Sequence, residues 1–101
     1  MTGPVRHPEW CDKSRCSDTA ARPGTHCSAV AVLGPYPPST VVAEVSIAQG
    51  PAVPGYPLSG RPFVALALGE VNDELCLTPI PIELAGRLGQ VLTGFVRRVE
   101  P

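Results

Sequence analysis

The chain has 101 residues, 44% of them hydrophobic, enough for one modest core and too few for a second independent one. Eight basic and nine acidic side chains leave a net charge of −1, which supplies neither a basic stripe for phosphates nor an acidic tail for cationic partners. No run approaches the ~20 apolar residues of a membrane span and the start, MTGPVRHPEW, lacks the apolar stretch of a secretory signal, so a soluble, cytoplasmic protein is expected.

Residues 1–27 are polar, contain Trp10 and both histidines, and follow neither a period of 2 nor one of 3.6. They read as a loop-rich module that needs an internal clamp. From Ser28 the pattern changes: SAVAVL (28–33) is a short strand candidate, closed by GPYPPS, where Pro37 and Pro38 lack the amide hydrogens of a ladder. TVVAEVSIAQ (40–49) is the clearest strand. Its alternation sets Val41, Ala43, Val45 and Ile47 on one face and Val42, Glu44, Ser46 and Ala48 on the other.

The segment GPAVPGYPLSGRP (50–62) is too rich in Pro and Gly for regular structure and long for a hairpin connection. FVALALG (63–69) resumes a strand, EVND is a turn signal through Asn72 and Asp73, and ELCLT (74–78) suggests a last strand with Leu75 and Leu77 opposite Cys76. Thr78 suits an N-cap and Pro79 the first position of a helix over 79–100. Leu84, Leu88, Val91, Leu92, Phe95 and Val99 form one apolar stripe on it, and Arg97 and Arg98 suit the negative end of its dipole.

The expected architecture is a single α+β domain over residues 1–101. It comprises a metal-clamped loop module (1–27), an antiparallel sheet of three to four strands (28–78), and a C-terminal helix (79–100) packed on one sheet face. The opposite face, with Val42, Ala48, Phe63, Ala65, Ala67 and Cys76, is too apolar for plain solvent; the N-terminal module or another chain should cover it.

The chemistry concentrates near the start. His7, Cys11, Cys16, His26 and Cys27 are spaced by three, four and nine residues before the final His-Cys pair. Four-coordinate zinc takes thiolates and imidazoles, and a loop bent by Pro8, Pro23 and Gly24 can join both halves of such a set. In a reducing compartment cysteines serve more often as ligands than as disulfides, although a bridge among Cys11, Cys16 and Cys27, or plain thiols, would also fit the spacing. Neighbouring residues rarely ligate one ion without strain, so the expected set is His7, Cys11, Cys16 and His26, with Cys27 as the substitute ligand. A neutral Cys2His2 zinc of this kind could contribute on the order of 10 kcal/mol. Cys76 reads as a small core residue.

HPEWC, a later HCS, and LTP opening a leucine-patterned helix together resemble a family of small actinobacterial proteins without an assigned activity. Those proteins carry C-P-x-W-C, H-x-S and an L-T-P helix. Trp10 and Cys11 match directly, and His26 with Ser28 matches H-x-S. His7 stands where the family has Cys, and Cys16 stands roughly where a His is usual; both departures exchange one zinc ligand type for another. The resemblance implies a zinc site, and the family has no assigned activity to carry over.

Catalytic readings fare poorly. HPE at 7–9 is an H-x-E, as in zinc nucleoside deaminases, but no P-C-x-x-C follows and Glu9 reads as a solvated loop charge. Cys27 beside His26 lacks an orienting third group. Gly86, Gly89 and Gly94 cost the helix roughly 1 kcal/mol each relative to Ala. Two P-x-x-P matches, Pro51–Pro54 and Pro54–Pro57, arise freely at this proline density, while Tyr56 is a reasonable partner contact.

The leading expectation is a non-enzymatic, zinc-stabilised interaction or accessory module whose partner is another protein or a second copy, with no small-molecule substrate. The alternative is a transcriptional regulator touching DNA through residues 1–27 with Arg6, Lys13, Arg15 and Arg22, a thin excess over Glu9, Asp12 and Asp18.

Overall fold

The computed structural model describes residues 7–17, 24–55 and 58–100; Arg6, Asp18, Arg22, Pro23, Tyr56 and Pro57, named above, lie outside them. The elements in chain order are β1 (His26–Cys27), β2 (Ala31–Leu33), β3 (Val41–Gln49), β4 (Phe63–Glu70), β5 (Thr78–Pro81) and α1 (Ile82–Val99). This is an α+β arrangement of one five-stranded antiparallel sheet and one C-terminal helix.

β3 is the axis of the sheet. The β-branched alternation of 41–49 holds it extended, and β4 pairs along nearly its whole length, from Val41 opposite Glu70 to Ala48 opposite Phe63. On its other edge β3 carries both β1 and β2, in line with each other. Directly opposed residues share a face, so Glu44, Ser46 and Ala48 lie on the same side as Ala67, Ala65 and Phe63. Ser46, Ala48, Ala65 and Ala67 are buried there, as expected of an apolar second face. On the first face only Ile80 is buried among the described residues, opposite Val64.

The last strand differs from expectation. ELCL does not pair; 74–77 are irregular, Cys76 is exposed instead of buried, and β5 is built from TPIP, taking only Thr78 from the expected strand. Asn72 takes a left-handed conformation (φ 72°) in the turn after β4, and Leu75 then swings over Gly69, where a Cβ would collide with its Cδ2. Leu75 thereby covers the sheet and does not extend it. In β5, Pro79 and Pro81 oppose Ala65 and Phe63 while Thr78 and Ile80 oppose Leu66 and Val64. Successive amides of a strand point to alternate sides, so the two prolines turn their hydrogen-less nitrogens to the open edge and cost the ladder nothing.

Because β5 consumes Thr78–Pro81, α1 starts at Ile82, and Pro81, not Thr78, occupies the N-cap position without a side-chain bond. Glu83 in the first turn and Arg97 and Arg98 in the last suit the dipole. The helix does not pack on a sheet face as the pattern suggested. None of its residues is buried, it meets only β4 and β5 among the described strands, and the molecule is 59 Å long against 28 and 25 Å across. Strand passes to helix with no intervening residue, so no connection exists to turn α1 back over the sheet. Leu33, Val41 and Leu68, at the far end of the first face, are left exposed.

Candidate metal centre

Two tight turns deliver the first half of the centre. The Cys11 amide donates to the Pro8 carbonyl (2.9 Å), placing Glu9 and Trp10 at the bend and bringing His7 back toward Cys11. Next, the Arg15 amide donates to the Asp12 carbonyl (2.9 Å), and the Asp12 carboxylate accepts the Ser14 amide (3.0 Å) and hydroxyl (2.7 Å). This is an Asx turn, which Asp-x-Ser spacing favours. The Ser14 hydroxyl first, then the Ser14 amide and the nearby Arg15 charge, hold the Asp12 carboxyl below the usual range. Cys16 follows, its amide reaching the Lys13 carbonyl (3.4 Å).

Backbone bonds then fasten the turns to the sheet. The Asp12 amide donates to the Cys27 carbonyl (2.8 Å) and the Ser17 amide to the Thr25 carbonyl (3.0 Å), while the Thr25 amide donates to the Ser17 hydroxyl (2.8 Å). Gly24 permits this approach, since a Cβ there would meet the Ser17 carbonyl. The Arg15 guanidinium donates to the Ser28 carbonyl, so one of the cations assigned to the DNA-contacting alternative serves an internal bond.

His7, Cys11, Cys16 and His26 come together, with ligand atoms all within 4.8 Å of one another, and could hold a metal ion. The contacts between sulfurs and imidazole Nδ1 atoms are Cys11–His7 3.6 Å, Cys11–His26 3.6 Å, Cys16–His7 3.5 Å and Cys16–His26 3.3 Å. Bond lengths of ~2.3 Å to sulfur and ~2.0–2.1 Å to nitrogen make the S···N edge of a tetrahedron about 3.6 Å. Hydrogen bonding accounts for the cluster less well: each Nδ1 offers either one proton or one lone pair, so two rings support two linear hydrogen bonds, too few for four sulfur–nitrogen contacts. The two rings stand nearly perpendicular (87°), centroids 5.2 Å apart, so each presents its Nδ1 without stacking.

Partial burial, followed by the neighbouring Cys16 sulfur, pushes the Cys11 thiol up. Two thiolates at this spacing would repel, and a bound cation reverses that preference. All four cysteines are free thiols.

Cys27 lies outside the cluster, for a reason of register. β1 pairs His26 with Gln49 and Cys27 with Ala48, whereas β2 pairs Ala31 with Val45. From Cys27 to Ala31 is four steps, yet from Ala48 to Val45 is three, so one extra residue bulges from the edge. Ser28 holds the bulge: its amide donates to the Ile47 carbonyl (2.8 Å) and its hydroxyl accepts the Ile47 amide (2.8 Å). An unbroken strand in the phase of β2 would turn Cys27 toward the cluster side and His26 away. Ser28 and Arg15 were not anticipated in these positioning roles; the Ser of H-x-S was the only signal.

No family model, curated protein or solved structure matches the chain.

Proposed function

We propose that His7 and His26 through Nδ1, and Cys11 and Cys16 through Sγ, bind one zinc ion that clamps residues 7–17 to the sheet. On this proposal the chain is a zinc-stabilised interaction or accessory module without catalytic activity. The observation that carries it is the set of four S···N separations, 3.3 to 3.6 Å, at the edge length of tetrahedral Cys2His2 zinc. Four protein donors fill a tetrahedral shell and leave no position for a reactive water, which is the mark of a structural site.

A partner surface lies on the Pro-rich loop. Pro51, Val53 and Leu58 form, with Phe63 and Pro79, an open apolar groove of about 670 Å³ at the end of the sheet from which α1 departs. Native mass spectrometry of protein prepared without chelator or added metal tests the metal assignment. One zinc per chain, lost with EDTA together with thermal stability, supports it. A metal-free chain that melts identically with and without EDTA refutes it. No helix among the described residues is long and apolar enough to cross a membrane.

A further inference from the structure

Helix α1 projects from the sheet with every one of its large apolar side chains open. Eight of them, from Ile82 to Val99, are 37–85% exposed. Gly86, Gly89 and Gly94 weaken the same helix from within and have nothing within reach of a Cβ. A lone 18-residue helix with three interior glycines is a poor free-standing element in water, so its order calls for packing. Its own sheet buries none of it: Pro81 passes directly into Ile82, and α1 meets only β4 and β5 among the described strands.

We infer that the chain is a two-fold dimer in which α1 packs antiparallel against α1 of a second copy. The seam Leu84, Leu88, Val91, Phe95 has the 4-3-4 spacing of helices that pair side by side. It is self-complementary about a two-fold axis: Leu84 meets Phe95 of the second copy, and Leu88 meets Val91. The exposed apolar side chains run the whole length of α1, from Ile82 to Val99, a continuous surface of the kind a stable interface buries. Orientation follows from charge. Antiparallel packing brings Glu83 in the first turn level with Arg97 and Arg98 in the last turn of the second copy, and opposes the helix dipoles; parallel packing would set like against like. Antiparallel helices also carry the two sheets to opposite ends, where they do not compete for space.

This dimer deepens the interaction reading above, on which it rests only for the premise that the chain acts through a protein partner. A monomer holding one zinc would end the dimer and leave the clamp intact, and a metal-free dimer would do the reverse.

The test is sedimentation velocity of the zinc-loaded full chain across ~1–100 µM, with L88D on the helix and L68D on the exposed sheet face. Wild type is expected at twice 10.6 kDa. L88D should weaken association at least 100-fold with unchanged zinc content and Trp10 fluorescence, and L68D should remain dimeric. If L88D does not fold, V91N replaces it, with the same expectation. In a C76S background under mild oxidation, L84C/F95C should crosslink two chains while L84C alone should not. A wild-type monomer at 100 µM, an L88D chain still dimeric, an L68D chain equally monomeric, or crosslinking by L84C alone would each overturn the proposal.

Discussion

Removing the metal is expected to release residues 7–17 from the sheet, and the structure sets the scale. None of these eleven described residues is buried. Fixing their backbone costs about 1–2 kcal/mol each, or roughly 11–22 kcal/mol together. Among the described residues, the protein bonds that tie them down include those from Asp12 to Cys27, between Ser17 and Thr25 in both directions, and from Arg15 to Ser28. At about 1 kcal/mol net apiece they return roughly 4 kcal/mol. The zinc proposed above would have to supply the remainder, on the order of 10 kcal/mol at neutral pH. Trp10 is the sole tryptophan and sits at the first bend, so its emission reports this module alone. On stepwise chelation its emission should shift to the red, and amides of 7–17 should lose exchange protection together with the metal. Unchanged protection and emission in protein shown by elemental analysis to be metal-free would refute the reasoning.

Substitution separates the two neighbours in β1: H26A should abolish stoichiometric zinc and C27A should keep one zinc per chain, both read by native mass spectrometry. S28A removes the acceptor of the half-buried Ile47 amide and should cost about 1 kcal/mol in urea unfolding. Acid should weaken the metal. With its pKa raised, the Cys11 thiol is protonated in the metal-free protein at neutral pH, so binding expels that proton. Zinc affinity should therefore fall at least about tenfold per pH unit below neutrality and rise toward alkaline pH, as competition titrations at pH 6, 7 and 8 would show.

How far composition and pattern reach is visible element by element. The alternation of 41–49 and 63–69 identified β3 and β4 and their faces, because one side of each is buried and the other less so. TPIP was hidden by the ordinary rule that proline opposes strands, which fails at an edge where alternate amides point outward. The helical stripe was legible but not its neighbour: periodicity shows which side is apolar and says nothing of what covers it. The cluster of His7, Cys11, Cys16 and His26 was legible from residue types in a segment too polar to fold unaided. Preference for His26 over Cys27 rested on the crowding of adjacent ligands, whereas the structural cause is a register shift in pairing with β3, residues far along the chain.

That shift also bears on metal preference. On the proposed zinc site, the bulge at 28–30 would decide whether the fourth donor is a borderline imidazole or a soft thiolate, hence whether the zinc-loaded shell is neutral or carries one negative charge. Deleting Ala29 would bring β1 into phase with β2 and present Cys27 in place of His26. Cobalt substituted into that variant should show thiolate charge-transfer absorption about half again as intense, for three sulfurs in place of two, with a shift in preference toward softer ions such as cadmium; an unchanged spectrum would mean that the bulge does not select the donor. Selectivity among metals would then be set by an insertion that contributes no ligand of its own.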